Sequence, residues 1–383
     1  MYNWKEKREK KAFLALADGT VYPGWSFGAE IDKPGEVVFN TGTPGYEEIM
    51  TDPSYAGQIV TLTAPETGNT GFNAPDAESI KLRPEGLIVH HYNEPSSWRS
   101  EESLKQALIR SGIPALAGID TRALTIKLRN CGTLRGYICT TGDISHEAGI
   151  RRALEWEGLD GQDYASRVST DKIYEFDPDG TMSASWGLTE NPLPPAELPV
   201  IAYDFGIKFN ILRRLRQEGM KITVVPSKTS AEEVLAMKPA GVFLANGPAD
   251  PAALLYAIGN IKKLVGKVPL MGICLGHQLL GLALGGKTRR LKFGHHGCNH
   301  PVKELATGKI EITSQNHNFM VDMNSLDRVA VEVTHINLND NTVEGMAHRT
   351  EPAFSVQYHP EAAPGPHDSH YLFNRFRELI LTS

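Results

Sequence analysis

The run from Val268 to Gln278 (VPLMGICLGHQ) constrains this chain more than any other stretch. Its first half is short, apolar and suited to a buried strand. Its second half opens an apolar helix carried on by Leu279, Leu280, Leu282 and Leu284. Cys274 stands at the corner between them, with Gly272 and Gly276 two residues away on either side. Glycines there let the backbone turn sharply and leave room beside the sulfur. This is the strand–nucleophile–helix pattern with cysteine in the place of serine. A helix starting at Leu275 aims its unpaired N–H groups and positive dipole end at the thiol, which favours thiolate.

Far along the chain, Gln357 to Glu361 (QYHPE) offers the partners such a cysteine needs. His359 is a candidate base. Glu361, two residues on in an extended segment, faces the same side and can hold the imidazole by its other nitrogen. Each feature alone has an ordinary explanation: a cysteine in an apolar corner is usually a small buried hydrophobe. Their conjunction points to a cysteine nucleophile and acyl transfer.

Bulk properties narrow the setting. At 383 residues the chain is too long for one ordinary core, so two domains are expected. With 41% hydrophobic and 22% charged residues it reads as globular, and a net charge of -6 gives no electrostatic case for nucleic acid or an anionic membrane. The basic start from Lys5 to Lys11 is interleaved with Glu6 and Glu9 and reads as a solvated leading edge. No apolar stretch approaches the ~20 residues of a membrane span, and no secretory signal core is present. Four cysteines in so long a chain make no disulfide framework, and a reducing cytoplasm is the simplest setting. His295, His296, Cys298 and His300 crowd into one glycine-containing loop without the separated ligand pairs of a zinc site, so no metal is expected.

Residues 198–383 alternate apolar strands, near 199–203, 222–226, 241–245 and 268–274, with helical patterns near 210–217, 231–237 and 252–265. That alternation predicts a mostly parallel sheet covered by helices, with functional groups at the strands' carboxyl ends. Residues 1–150 differ: short β-rich runs at 35–40 and 58–63 precede helical patterns at 100–110 and 121–129, which predicts a smaller α+β domain. Residues 151–197 form a connecting segment that ends in a proline-rich linker, Glu190 to Pro195. Gly281 to Thr288 (GLALGGKT) fits the Walker A pattern by letter. Its middle residues continue an apolar helix, however, and Gly285-Gly286 read as that helix's stop.

The two runs around Cys274 and His359 resemble the class I (triad) glutamine amidotransferases, and within them the small subunits of carbamoyl phosphate synthetases. Further stretches carry the narrower resemblance: AYDFGIKFNIL from Ala202, ANGPADP from Ala245, KFGHHGCNHP from Lys292, QNHNF from Gln315, THINLND from Thr334 and QYHPEAAPGPHD from Gln357. In the first half, TDPSY from Thr51 and GIDTRAL from Gly118 belong to it as well.

The resemblance implies that Cys274, His359 and Glu361 hydrolyse L-glutamine to glutamate and ammonia. Ser54, Gly247, Ala249, Leu275, Gln278, Asn316, Asn318 and Phe319 would contact the substrate, with His317 close by. It further implies a large, ATP-dependent partner subunit, since this chain offers no nucleotide site. ATP and divalent metal would sit on that partner, which makes carbamoyl phosphate from bicarbonate for pyrimidine and arginine synthesis. No cofactor is expected here. Three positions depart from the family: Ala249 and Asn318 stand where glycine is usual, and Phe209 where arginine is. If residue 318 needs a left-handed backbone, asparagine tolerates it better than most. The competing readings are an amidotransferase component of another pathway and a regulatory subunit with an inactive site.

Overall fold

Most of the seven short strands in the first half are buried on consecutive positions, and a sheet that closes on itself has no exposed edge. In the computed structural model, which describes residues 10–184 and 193–383, these strands form a closed barrel. The spatial order is Lys11–Leu16, Val21–Ser26, Ala115–Ala117, Gly86–Ile88, Gln58–Leu62, Lys33–Asn40 and Leu134–Cys139. Leu14, Leu16, Val37, Ile59 and Ile138 share one of its cores. Gly86 is glycine for a reason of space, since a Cβ there would lie 2.3 Å from Ile138 Cδ1. The expected α+β class holds, and the closure into a barrel is additional.

Two helices of this unit start where their caps dictate. Ser103 accepts from the Gln106 backbone and Gln106 answers to Ser103 N, so the helix is Leu104–Arg110, starting four residues later than the apolar pattern predicts. Asp120 caps Thr121–Cys131 by accepting from Ala123 N.

The chain divides into two compact units, Met1–Asp160 with Lys292–His296, and Gly161–Leu291 with Gly297–Ser383. The basic start from Lys5 and the opening of the proline-rich run, Glu190 to Pro192, lie outside the described residues. The strand Tyr174–Phe176 pairs antiparallel with Met220–Pro226 and so extends the second unit's sheet.

That sheet has ten strands among the described residues. Met220–Pro226, Leu198–Asp204, Gly241–Leu244, Leu270–Ile273 and Ala353–Val356 run parallel through its centre. These are mostly apolar runs, covered by the helices Phe209–Gln217, Ala231–Ala236, Leu255–Leu264, Leu275–Ala283 and Tyr371–Thr382, whose apolar faces join one core. Beyond Ala353–Val356 the sheet turns antiparallel through Val343–His348, Val331–Asn337, Thr288–Glu304 and Ile310–Val321. The Walker-like stretch is helical through Ala283, and Gly285 takes φ 88 just past the helix. No helix among the described residues is long and apolar enough to cross a membrane.

Candidate active site

The sheet's register brings the two predicted runs together. Leu270–Ile273 and Ala353–Val356 are parallel neighbours with Ile273 opposite Val356, so both chains leave the same sheet end. Cys274 N donates to Val356 O at 2.9 Å. Cys274 itself sits at φ 53, ψ -104, a conformation a side chain rarely adopts, and forms the N-cap of the helix Leu275–Ala283. Its glycine neighbours are dictated by backbone contact. A Cβ on Gly276 would lie 2.1 Å from Leu244 O, and one on Gly272 would lie 2.8 Å from Gly276 backbone atoms. The sulfur is buried and donates to Asn316 O at 3.6 Å.

His359 Nδ1 lies 2.6 Å from Glu361 Oε1, and both side chains are buried. A bridge between Ser314 and His359, with His359 N donating to Ser314 O at 2.9 Å, holds the histidine segment against the strand Ile310–Val321. Burial disfavours a charged imidazole, but the Glu361 carboxylate and then the Cys274 sulfur outweigh it and raise the His359 pKa well above the ordinary range.

The structure adds a residue that sequence reasoning missed. Lys208 Nζ donates to Glu361 Oε1 at 3.0 Å and to Ala363 O at 2.7 Å, with its side chain only 3% exposed. Burial would raise the Glu361 pKa; Lys208 first, then His359, reverse this and hold it well below the usual carboxylate range. A lysine just ahead of a helix reads locally as a surface residue. The signal available was its place inside the apolar run from Ala202, where an unpaired ammonium is costly.

Gly247 and Leu275 lie side by side: a Cβ on Gly247 would be 2.0 Å from Phe205 O and 3.1 Å from Leu275 Cδ2. Ala249 takes φ 157, a backbone to which glycine is better suited than alanine. Asn318 does not take a left-handed backbone; it lies within the strand Ile310–Val321, as do Asn316 and Phe319. Strand pairing, which local sequence does not reveal, sets its conformation. Gln278 Nε2 donates to Phe319 O at 2.7 Å, tying the helix after Cys274 to that strand. Phe209 packs beside Phe176, with Arg213 over its ring. Ser54 belongs to the first unit, where its backbone N donates to Asp52 Oδ1 at 2.8 Å in the turn Pro53–Tyr55.

Comparison with known proteins agrees with this layout. Residues 14–138 match the family described as carbamoyl-phosphate synthase small chain, CPSase domain, and residues 201–379 match glutamine amidotransferase class-I. The carbamoyl phosphate synthase small chain of Akkermansia muciniphila is 50% identical over 374 residues, covering 97% of this chain and 98% of its own. That of Syntrophotalea carbinolica is 51% identical over 371 residues, with 97% and 98% covered. The Synechocystis small chain is 49% identical over 373 residues, with 97% and 96% covered. The chain belongs to the carbamoyl phosphate synthase small chain family.

Proposed function

We propose that this chain hydrolyses L-glutamine to glutamate and ammonia as the amidotransferase subunit of a carbamoyl phosphate synthase. The observation that carries the reading is the buried line Lys208–Glu361–His359 ending beside Cys274 at the strained strand–helix corner. Cys274 attacks the side-chain carboxamide and forms a glutamyl thioester. The Leu275 N–H, unpaired at the helix start, and a donor from the Gly247 loop receive the developing oxyanion. His359, held as imidazolium by Glu361, is the acid that protonates the departing nitrogen; as neutral imidazole it then activates the water that releases glutamate. Gln278, Asn316 and Phe319 would hold the substrate, with Ala249 and Asn318 contributing through main-chain atoms.

Ammonia in neutral water is mostly ammonium, which has no lone pair for attack. Delivery to a large ATP-dependent partner that activates bicarbonate keeps it reactive, and the product, carbamoyl phosphate, would enter pyrimidine and arginine synthesis. The reading is supported by the family membership and by the charge arrangement around His359. The test is to purify the endogenous protein with whatever large chain accompanies it and measure carbamoyl phosphate formed from glutamine and from ammonium salts. Synthesis from both is expected. A complex that uses ammonium only, with glutamine left intact, returns the chain to the inactive-subunit reading.

A further inference from the structure

Between the helix that follows Cys274 and the strand Val343–His348, the second unit holds a closed ring of buried hydrogen bonds, of which the proposed chemistry uses only Gln278 and Phe319. It starts at Glu344, a fully buried carboxylate on the strand Val343–His348. Glu344 Oε2 accepts from Gln315 Nε2 at 2.9 Å, and Oε1 accepts from Asn337 Nδ2 at 2.8 Å. Neither amide is free to turn over. Asn337 Oδ1 accepts from Asn339 N, which leaves its NH2 for Glu344. Thr313 spends its hydroxyl proton on His300 O, so it can only accept from Gln315 Nε2 at 3.1 Å.

With both Gln315 amide hydrogens committed, its Oε1 faces His317 Nε2 at 2.8 Å and must accept. His317 Nδ1 lies 2.8 Å from Phe319 O, a carbonyl, which also only accepts. The ring therefore donates from both nitrogens, the doubly protonated form. Phe319 O takes a second bond from Gln278 Nε2, whose other hydrogen reaches Gln357 Oε1 at 3.1 Å. Gln357 N closes the circuit on Glu344 O at 2.9 Å.

We propose that Glu344 is a positioning residue for the glutamine site. Its carboxylate fixes which way the Gln315 amide faces, and so both N–H groups of His317, whose Nδ1 side holds Phe319 O beside Gln278. The inference rests on the functional reading above, in which Gln278 and Phe319 hold glutamine. Chemistry requires a carboxylate here. Two fixed NH2 groups face residue 344, and glutamine at that position would present its own NH2 to one of them. The relaxed alternative, turning Gln315 over, strips His317 of one N–H and breaks the ring at its centre.

The test uses the full chain, with its co-purified partner where present. Glu344→Gln should raise the KM for L-glutamine at least about tenfold while kcat stays within roughly twofold, since the chemistry at Cys274 is untouched. Nitrogen-15 NMR of histidine-labelled protein should show His317 protonated on both nitrogens in the parent and on one in the variant. The exchange Glu344→Gln with Gln315→Glu moves the carboxylate one link along, where it can still accept from His317, and should recover most of the lost KM. An unmoved KM in a glutamine-active Glu344→Gln chain overturns the positioning role, as does an exchange variant that folds but stays as impaired as the single one. A parent inert toward glutamine, alone and with its partner, sinks the functional reading and this role with it. The NMR signature tests the ring's protonation in either case.

Discussion

Both units bury a glutamate, and the contrast between the two shows where chemistry can be housed. Glu47, in the barrel unit, is 5% exposed and accepts from Asn73 N and Nδ2, which carry no charge. Burial dominates, Asp76 and Glu48 add to it, and the carboxyl is pushed up to about 8. Glu361 is buried more completely, yet its pKa falls, because Lys208 and His359 meet it at hydrogen-bond distance. The same desolvation acts on both carboxyls, and the presence of a buried cation decides which form survives. A neutral glutamate offers an imidazolium no opposing charge. An ionised one can hold an imidazolium ready.

Breaking the reactive side of the contrast should give the largest effect. Cys274→Ser keeps the shape of the corner, but its hydroxyl is not ionised at neutral pH, so glutamine hydrolysis should drop by roughly a thousandfold or more with the melting temperature nearly unchanged. Carbamoyl phosphate synthesis from ammonium salts in the complex should persist. Loss of both activities in a folded complex would mean that the residue acts through structure.

Lys208→Met should come next. It leaves Glu361 buried with His359 but without the Lys208 ammonium, and removing one partner of a buried pair costs about 3–5 kcal/mol. Urea unfolding reads the loss, and glutamine hydrolysis should fall with it as His359 loses its fixed carboxylate. A change under about 1 kcal/mol would show that the ammonium contributes little.

The pH response should separate the units by sign. In the second unit, burial lowers His277 to about 3 and His335 to about 4. Both stay neutral when folded but take up protons on unfolding below about 6.5, so stability is lost as pH falls from there towards 4. In the barrel unit, Glu47 binds its proton more tightly folded than unfolded. Its contribution is complete below about 4.5 and is lost as pH rises towards 8. Hydrogen exchange followed peptide by peptide from pH 4 to about 6.5, below the range in which the raised His359 begins to cost the second unit stability, should show protection shifting in opposite directions. Glu47→Gln should flatten the barrel's response alone, and parallel responses in the two units would refute the contrast.

The smallest effect concerns Ala249, an alanine at φ 157 where glycine is at ease. Ala249→Gly should stabilise the protein by about 1 kcal/mol, read as a higher melting temperature. A lower one would mean that the loop carries no strain worth releasing.

Much of the site was legible because its signals are local. The glycines around Cys274 are glycines for contacts at Leu244 O and within the turn, and that need shows in any strand–helix corner. His359 and Glu361 are two residues apart in an extended segment, so their meeting required no knowledge of the fold. Lys208 was hidden because it lies far from Glu361 along the chain, and pairing across such a distance leaves no local trace. Glu344 and its link to Gln315 and His317 were hidden likewise: a short Val-Glu-Gly run reads as an ordinary strand until its neighbours are known. The barrel's closure was illegible for a related reason. Lys33–Asn40 pairs parallel with Gln58–Leu62 on one side and antiparallel with Leu134–Cys139 on the other. Strand composition carries neither fact.

By itself the sequence singled out the candidate nucleophile, which parts of the chain are apolar strands or helices, and which family the chain resembles. Each of these depends on residue identity and on spacings of a few residues, where sterics and periodicity act. The tertiary structure alone decided which strands became neighbours, and so which buried cation faces Glu361, which carboxylate orients Gln315 and His317, and how Asn318 is held. Those choices depend on register between segments far apart in the chain. A shift of one residue turns every side chain of a strand to the other face, and only the packed core selects among such alternatives.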